Sequence, residues 1–235
     1  MSMLIAAAVF FLSIHLLIAG TKLRDFIVGR LGERGYLAAF SLASLAGIVW
    51  LVLSYNAASS EGSPILWDFG PAVAHLGIIV VAIAFFFGVS GLLTPNPASV
   101  GMENIARDQG AATGILRLTR HPFLWGVAVW SAFHLGANGD AASVVFFGTF
   151  LVLAVFGTFS IDAKRRRKLG GDWKNFEQTT SNFPFQAILA GHNSLVLSEL
   201  LTYRQLIALL AFATFLVGHA WAFGASPFPG GWVPF

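Results

Sequence analysis

Residues 72–93 of the chain read AVAHLGIIVVAIAFFFGVSGLL, a stretch that contains no Asp, Glu, Lys or Arg. An α-helix rises about 1.5 Å per residue, so a helix of this length crosses a hydrocarbon core of about 30 Å. Five further apolar runs occupy residues 3–19, 36–55, 123–137, 141–161 and 203–223. These runs lack the alternation of barrel strands, and backbone groups in lipid must be satisfied internally. The sequence therefore predicts an all-α, polytopic membrane helix bundle of about six transmembrane helices.

The composition of the whole chain also indicates a membrane protein. Of its 235 residues, 56% are hydrophobic and only 11% are charged, whereas soluble domains carry roughly a quarter charged residues. The lack of cysteine excludes disulfides, thiolate metal ligands and a cysteine nucleophile. No basic region precedes the first apolar run, so we expect a retained helix there and not a cleaved signal peptide.

The basic residues are confined to alternate loops. All 14 Lys and Arg side chains fall within residues 20–35, 94–122 and 162–204. Cytoplasmic loops of membrane proteins carry an excess of Lys and Arg. The pattern predicts six crossings with both termini outside, and it accounts for the net charge of +3 without a nucleic-acid partner. We expect a single transmembrane domain over residues 1–225, followed by a Pro/Gly-rich tail at 226–235.

Four histidines lie within the apolar runs: His15, His75, His134 and His219. Ionisable side chains at membrane depth are rare and indicate function by default. Counted from the outer helix ends, His75, His134 and His219 lie roughly 5–6 Å deep, and His15 lies roughly 18 Å deep. Two imidazoles on facing helices suit axial ligation of haem b. For any single histidine, the alternative is a neutral ring that hydrogen-bonds between helices.

A polar motif precedes the fourth apolar run. Arg117-Leu118-Thr119-Arg120-His121-Pro122 places two guanidinium groups and an imidazole at a helix N-terminus on the inner face. The backbone N–H groups and the dipole of a helix N-terminus favour an anion. A haem propionate, a nucleotide cofactor and a lipid phosphate are the candidates, and positive-inside topology with phospholipid contact is the alternative.

Several motifs resemble those of the NnrU family. They are SIHLL at 13–17, LGERGY at 31–36, GILRLTRHP at 114–122, WSAFHLGANGD at 130–140 and TSNFPF at 180–185. The resemblance covers roughly residues 4–192. The family name comes from genes linked to nitrite and nitric oxide reduction in denitrifying bacteria. The 15-cis-zeta-carotene isomerases of plants and cyanobacteria are similar to this family, and they are membrane enzymes with haem b.

The resemblance implies roles for three histidines. The axial iron ligands proposed for those isomerases match His15 and His134 here, and the histidine of their R-H-P stretch matches His121. Because His75 or His219 lies closer to His134 in depth, His75 stays open as a rival cofactor ligand. The implied location is a bacterial inner membrane, and the implied function is redox or isomerase activity on an apolar polyene or isoprenoid substrate, or a role linked to denitrification.

The predicted inner motif has a part in two of the three hypotheses. In the haem hypothesis, Arg117 or Arg120 pairs with a propionate. A second hypothesis rests on RHPFLWG at 120–126 and GGDWKNF at 170–176, which are similar to isoprenylcysteine carboxyl methyltransferases and phospholipid methyltransferases. Those enzymes place S-adenosylmethionine near the R-H-P helix, but they usually carry a Glu pair where this sequence has Asp162. A third hypothesis is a non-enzymatic membrane factor that assembles or regulates partner oxidoreductases.

Overall fold

The computed structural model describes residues 1–70, 72–108 and 110–228. Its α-helices are α1 (Ser2–Leu12), α2 (Leu23–Ser60), α3 (Ala72–Leu93), α4 (Ile115–Leu118), α5 (Pro122–Ala137), α6 (Ala141–Leu169), α7 (Gly171–Thr179), α8 (Gln186–Leu189), α9 (Leu197–Leu200) and α10 (Tyr203–Phe223). A π-helix at Ser13–Ile18 continues α1, and a 3₁₀ helix occupies Glu103–Arg107. The described residues form no strand beyond one isolated bridge, so the predicted all-α bundle is confirmed.

Four helical segments are long and apolar enough to cross a membrane: Leu23–Ser60, His75–Leu93, Ala141–Leu169 and Tyr203–Phe223. The segment Ser2–Ile18 is apolar but shorter, and α5 has 16 residues. The chain is therefore a multi-pass membrane protein. The count of six crossings and the outside location of both termini stay predictions, and residues 229–235 of the predicted tail lie outside the described residues.

Local signals in the sequence locate several helix ends correctly. Pro122 occupies the first turn of α5, where its missing N–H leaves no hydrogen bond unmade. Asp140 caps α6, because its side chain accepts a hydrogen bond from the Ser143 N–H at 3.0 Å. The three residues 138–140 join α5 to α6, as the sequence predicts.

The second long helix begins well before its apolar run. α2 starts at Leu23, although residues 20–35 are predicted to form a loop. Gly32 interrupts α2 with φ 71° and ψ 164°, a conformation that glycine adopts without a Cβ penalty. Arg24 pairs with Glu33 across this break. The basic segment of α2 is therefore a separate helical piece that precedes the apolar piece.

The long helices pack side by side in the order α10, α3, α5, α6, α1, α2. Glycines allow the closest of these contacts, between α3 and α5. A Cβ on Gly126 would lie 2.4 Å from the Gly88 N, and a Cβ on Gly91 would lie 2.5 Å from the Phe123 N. Small residues let transmembrane helices approach closely, and this contact fixes α5 against α3.

The loops that are predicted to lie on the inner side fold into a compact cap on the bundle. Its core contains Phe87, Ala98, Ala111, Ile115, Leu116, Leu118, Trp173, Phe176 and Leu200. On the outer side, the loop after α2 crosses the α5–α6 turn: the Leu66 N–H donates to the Gly139 carbonyl at 2.7 Å, and Trp67 Nε1 donates to the Gly136 carbonyl at 3.0 Å. Both ends of α5 are thus held by loops.

Candidate functional site

His134 lies near the outer end of α5, surrounded by aromatic rings. Phe147 of α6 stacks on its imidazole with centroids 5.0 Å apart, and Trp130 lies at the same centroid distance. Its Nδ1 lies 2.9 Å from the Trp130 carbonyl oxygen, so Nδ1–H donates and Nε2 keeps its lone pair. Metal-binding histidines take this arrangement, in which a hydrogen bond at one nitrogen orients the other toward the metal.

His15 lies in the π-helix and has the same tautomer. Its Nδ1–H donates to the Phe11 carbonyl at 2.8 Å, and its Nε2 lies 3.3 Å from the hydroxyl of Ser44 on α2. The rings of Phe11 and Phe40 flank the imidazole at centroid distances of 4.4 and 5.1 Å. π-helical turns are frequent at functional sites, which supports a role for this histidine.

The two imidazoles share one aromatic core but do not touch each other in the structure. From His15 the ring contacts run through Phe11, Phe150 and Trp130 to His134, with successive centroid distances of 4.4, 6.0, 5.7 and 5.0 Å. Each histidine is half-buried and retains a lone pair on Nε2. The type, tautomer and apolar surroundings of these donors fit the axial ligands of a haem.

The other two histidines of the apolar runs differ in exposure. His75 is exposed on α3, whereas His219 on α10 is half-buried. The Nδ1–H of His219 donates to the Ala225 carbonyl at 2.7 Å, and His219 is close enough to His134 to act on it electrostatically. The structure thus brings His219 toward His134, and the choice of His75 as the rival ligand stays a prediction.

Arg120 and His121 of the inner motif converge on Asp162 of α6. Nε and Nη2 of Arg120 donate to the two carboxylate oxygens at 2.9 and 2.5 Å, and His121 Nε2 lies 2.7 Å from Oδ1. The amide of Asn182 donates to Oδ2 at 3.1 Å. All four residues are less than one-tenth exposed. They form a buried, charge-assisted network that ties the inner cap to α6.

The protonation state of His121 follows from its surroundings. Burial lowers the pKa of His121 more than the hydrogen bond with Asp162 raises it. The imidazole is therefore neutral at pH 7, and its Nε2–H donates to the carboxylate. Because Arg120 and Arg166 already balance the charges of Asp162 and Glu177, a protonated His121 would add an uncompensated buried charge.

Arg117 is also engaged within the chain. It donates to both carboxylate oxygens of Glu199, with Nε–Oε2 at 2.7 Å and Nη2–Oε1 at 2.9 Å, and its Nη1 donates to Asn193 at 2.6 Å. Both arginines of the motif are thus bonded to carboxylates of the protein. The predicted pairing of Arg117 or Arg120 with a propionate stays a prediction, because it would require these bonds to be exchanged.

A cavity of about 310 Å³ adjoins the inner network, and its lining includes Arg120, Asn182 and His192. The buried Oδ1 of Asn182 has no hydrogen-bond partner in the described part of the chain. The cavity lies beside the R-H-P stretch, near which the methyltransferase hypothesis places S-adenosylmethionine. That hypothesis stays a prediction.

The partners of the predicted residues were not evident from the sequence. Asp162 was visible as a lone carboxylate at the end of a long apolar run, and such residues generally have a partner. Nothing in the sequence paired Ser44 with His15, because that contact depends on the register of the π-helix. The aromatic rings between His15 and His134 were likewise not predictable from hydropathy.

Taken together, the helices and the buried polar groups define a multi-pass α-helical membrane protein with two equivalent histidine tautomers in its aromatic core. The chain belongs to the NnrU protein family, whose profile matches residues 3–227. It is 28% identical over 179 residues to the chloroplastic 15-cis-zeta-carotene isomerase of Arabidopsis thaliana, covering 74% of this chain and 47% of that protein. It is 27% identical over 170 residues to the corresponding Zea mays protein, covering 70% and 44%. The chain thus spans less than half the length of these relatives. No solved structure matches it.

Proposed function

We propose that this protein binds haem b within the membrane and isomerises a double bond of an apolar, polyene-like substrate. The observation that carries the proposal is the shared tautomer of His134 and His15. Each imidazole bonds its Nδ1–H to the carbonyl four residues earlier and keeps an Nε2 lone pair among aromatic rings. The likeness to the two 15-cis-zeta-carotene isomerases supports the reaction class.

In this proposal His134 is the principal ligand and His15 is the second. No hydrogen bond to the Nε2 of His134 is present among the described residues, whereas the Nε2 of His15 lies 3.3 Å from the Ser44 hydroxyl. Iron binding at His15 therefore competes with a hydrogen bond, and iron binding at His134 does not. A bound haem would supply a redox-active iron centre that can lower the barrier to rotation in a conjugated chain.

The surrounding side chains would serve an apolar substrate. Trp130 contacts Phe147 and Phe150 beside His134, with centroid distances of 5.3 Å for Trp130–Phe147 and 5.7 Å for Trp130–Phe150. Ligand sites for apolar molecules are lined mainly by such residues. These rings keep water away from the imidazole and offer a surface on which a polyene can lie.

The same proposal includes a location and a wider role. We place the protein in a bacterial inner membrane with its basic loops on the cytoplasmic side, because the Lys and Arg residues sort into alternate loops. The substrate would enter from the lipid. A link to denitrification rests on the family name, and a role in assembling partner oxidoreductases would show itself by co-purifying proteins and no bound cofactor.

The test is the visible spectrum of the protein purified from cells supplied with a haem precursor, oxidised and reduced. We expect a Soret band in the wild type and its loss or a marked shift in His134→Ala. His192→Ala is the matched control, because His192 is exposed in the inner loops and should leave the spectrum unchanged. Absence of a Soret band from haem-replete wild type would overturn the proposal.

Activity needs a separate measurement. Haem-loaded protein in liposomes that contain 15-cis-zeta-carotene should change the isomer composition, followed by chromatography. Haem binding without isomerisation of this or another cis-polyene would leave the cofactor assignment standing and overturn the reaction class.

A further inference from the structure

The inner end of the π-helix is held closely by α6. The π-helix packs between α2 and α6. A Cβ on Gly20 would lie 2.4 Å from the Leu16 carbonyl oxygen and 2.6 Å from the Ser160 hydroxyl oxygen, so a side chain there would force the backbone to shift. Next to it, the Nζ of Lys164 donates to the carbonyl of Ala19 at 3.0 Å. Ala19 lies four residues after His15, which places Lys164 about 6 Å further inward along the helix.

Tyr36 reaches the same neighbourhood from α2. Its ring stacks on Phe40 with centroids 5.9 Å apart, and Phe40 meets His15 edge-on at 5.1 Å. Arg24 and Asp25 lie close enough to act electrostatically on both Tyr36 and Lys164. The guanidinium of Arg24 lies 5.1 Å from the centroid of the Tyr36 ring, so the phenol and the ammonium both lie near Arg24 on the inner side of His15.

The Tyr36 hydroxyl and the Lys164 ammonium both have hydrogen-bond donors without an acceptor among the described residues. Tyr36 is only 5% exposed, and its hydroxyl has no hydrogen-bond partner in the described part of the protein. Buried hydroxyl groups in proteins normally have a hydrogen-bond partner. The ammonium of Lys164 has three N–H groups, of which Ala19 takes one, and none of the described ion pairs includes it.

Four arginines near the inner side are already paired with carboxylates. The pairs are Arg24 with Glu33, Arg117 with Glu199, Arg120 with Asp162 and Arg165 with Glu103. Lys164 is thus a half-buried cation with free donors, and the buried phenol of Tyr36 lacks an acceptor. This combination fits an anionic oxygen, because charge-assisted hydrogen bonds are the strongest that such donors form.

We propose that Lys164 and Tyr36 bind a carboxylate of the prosthetic group whose iron His15 ligates. The inference rests on the proposed function, and it assigns the propionate site to α2 and α6 instead of the R-H-P motif. Lys164 and Tyr36 would hold the carboxylate on the inner side of His15, where their donors would hydrogen-bond to its oxygens. A phosphate oxygen of a lipid would make the same hydrogen bonds, so the test separates the two sources.

The experiment compares haem with haem dimethyl ester, in which both carboxylates are esterified. Apo-protein is titrated with each porphyrin and binding is followed by the Soret band. We expect the wild type to bind haem about tenfold more tightly than the ester. Lys164→Met and Tyr36→Phe should each reduce that ratio, and the double variant should bring it near unity.

Lys168→Met is the matched control, since Lys168 lies one turn further along α6 and pairs with Glu103. It should keep the wild-type ratio. Tyr36→Phe retains the ring that stacks on Phe40, so it gives a result even if Lys164→Met fails to fold. Equal binding of both porphyrins by the wild type would overturn this inference while leaving haem binding intact; binding of neither would overturn the proposed function.

A second arm addresses the lipid. The titrations are repeated in nanodiscs of phosphatidylcholine alone and of phosphatidylcholine with phosphatidylglycerol. The inference expects the preference for haem in both. If Lys164→Met alters only the dependence on phosphatidylglycerol, the bound anion is a lipid phosphate and the assignment to a carboxylate is wrong.

Discussion

Asp162 is the residue on which the inner network depends. It accepts hydrogen bonds from Arg120, His121 and Asn182 and is 2% exposed. Removing one partner of a buried ion pair leaves the other charge uncompensated, which costs about 3–5 kcal/mol. We expect Asp162→Asn to lower the melting temperature of the detergent-solubilised protein strongly, measured by tryptophan fluorescence.

Asp172→Asn is the control for this change. Asp172 pairs with Arg107 at 3.1 Å, but their side chains are 42% and 73% exposed. Exposed pairs contribute about 0–1 kcal/mol. A loss of melting temperature in Asp172→Asn as large as that in Asp162→Asn would contradict the role given to burial.

Glu103 gives the protein an acid-sensitive contact. Burial raises the pKa of Glu103, but hydrogen bonds from Arg165, from its own backbone N–H and from Lys168 outweigh this effect and bring the pKa to about 2. Because this pKa is depressed below the unfolded value of about 4.3, the contact stabilises the fold fully above that value. Its contribution is lost as the pH falls from about 4.3 toward 2.

We therefore expect Glu103→Gln to have a lower melting temperature than the wild type at pH 7, since Arg165 loses its carboxylate partner. The difference should shrink as the pH falls toward 2. Melting temperatures measured from pH 7 to pH 2.5 test this, and curves that stay parallel over the whole range would argue against it.

At the scale of elements, helix ends could be predicted where a residue acts on the backbone next to it. The beginnings of α5 and α6 follow from Pro122 and Asp140, which act on the backbone beside them. The π-helix and the break at Gly32 could not be predicted, because they depend on contacts between distant segments. The Lys164–Ala19 hydrogen bond joins residues 145 positions apart, and a hydropathy pattern does not indicate such a contact.

The α3–α5 crossing gives a test at this scale. A Cβ on Gly126 would lie 2.4 Å from the Gly88 N and 2.7 Å from the Ala84 carbonyl oxygen, so Gly126→Ala forces the helices apart. Overpacking of this kind costs about 1–3 kcal/mol. We expect a lower melting temperature for Gly126→Ala.

Gly136→Ala is the matched control on the same helix, since a Cβ there has no atom within 4 Å. Alanine is the better helix former, so this variant should keep or raise the melting temperature. A greater loss in Gly136→Ala than in Gly126→Ala would show that the crossing is not the tight contact described.

At the scale of the whole molecule, the predicted topology can be tested directly. The chain contains no cysteine, so one introduced thiol is the only site for a maleimide. In intact spheroplasts, an impermeant maleimide should label Glu61→Cys, which lies in an exposed outer loop. Ser194→Cys, exposed in an inner loop, should react only after permeabilisation. Labelling of Ser194→Cys in intact spheroplasts would contradict the positive-inside assignment.

The apolar runs of the helices could be predicted from the sequence, but the order in which the helices pack could not. Every run is hydrophobic on most sides, so nothing in it indicates which neighbour it contacts. For the same reason the sequence indicates His15 and His134 as separate candidate ligands but does not indicate the aromatic rings that lie between them. The sequence predicts Arg117 and Arg120 as ligand-binding groups. Their ion pairs with Glu199 and Asp162 are visible only in the folded structure.

The π-helix at Ser13–Ile18 has a consequence for how this core can change. Its hydrogen-bonded loops hold one residue more than those of an α-helix. Because the wide turn accommodates one extra residue, deleting a single residue there would restore ordinary helical winding while the preceding turns keep their orientation. Leu4, Ala7 and Phe11, now buried, would stay on the same interface. One deletion would thus change the local backbone around the imidazole and leave the packing of α1 in place.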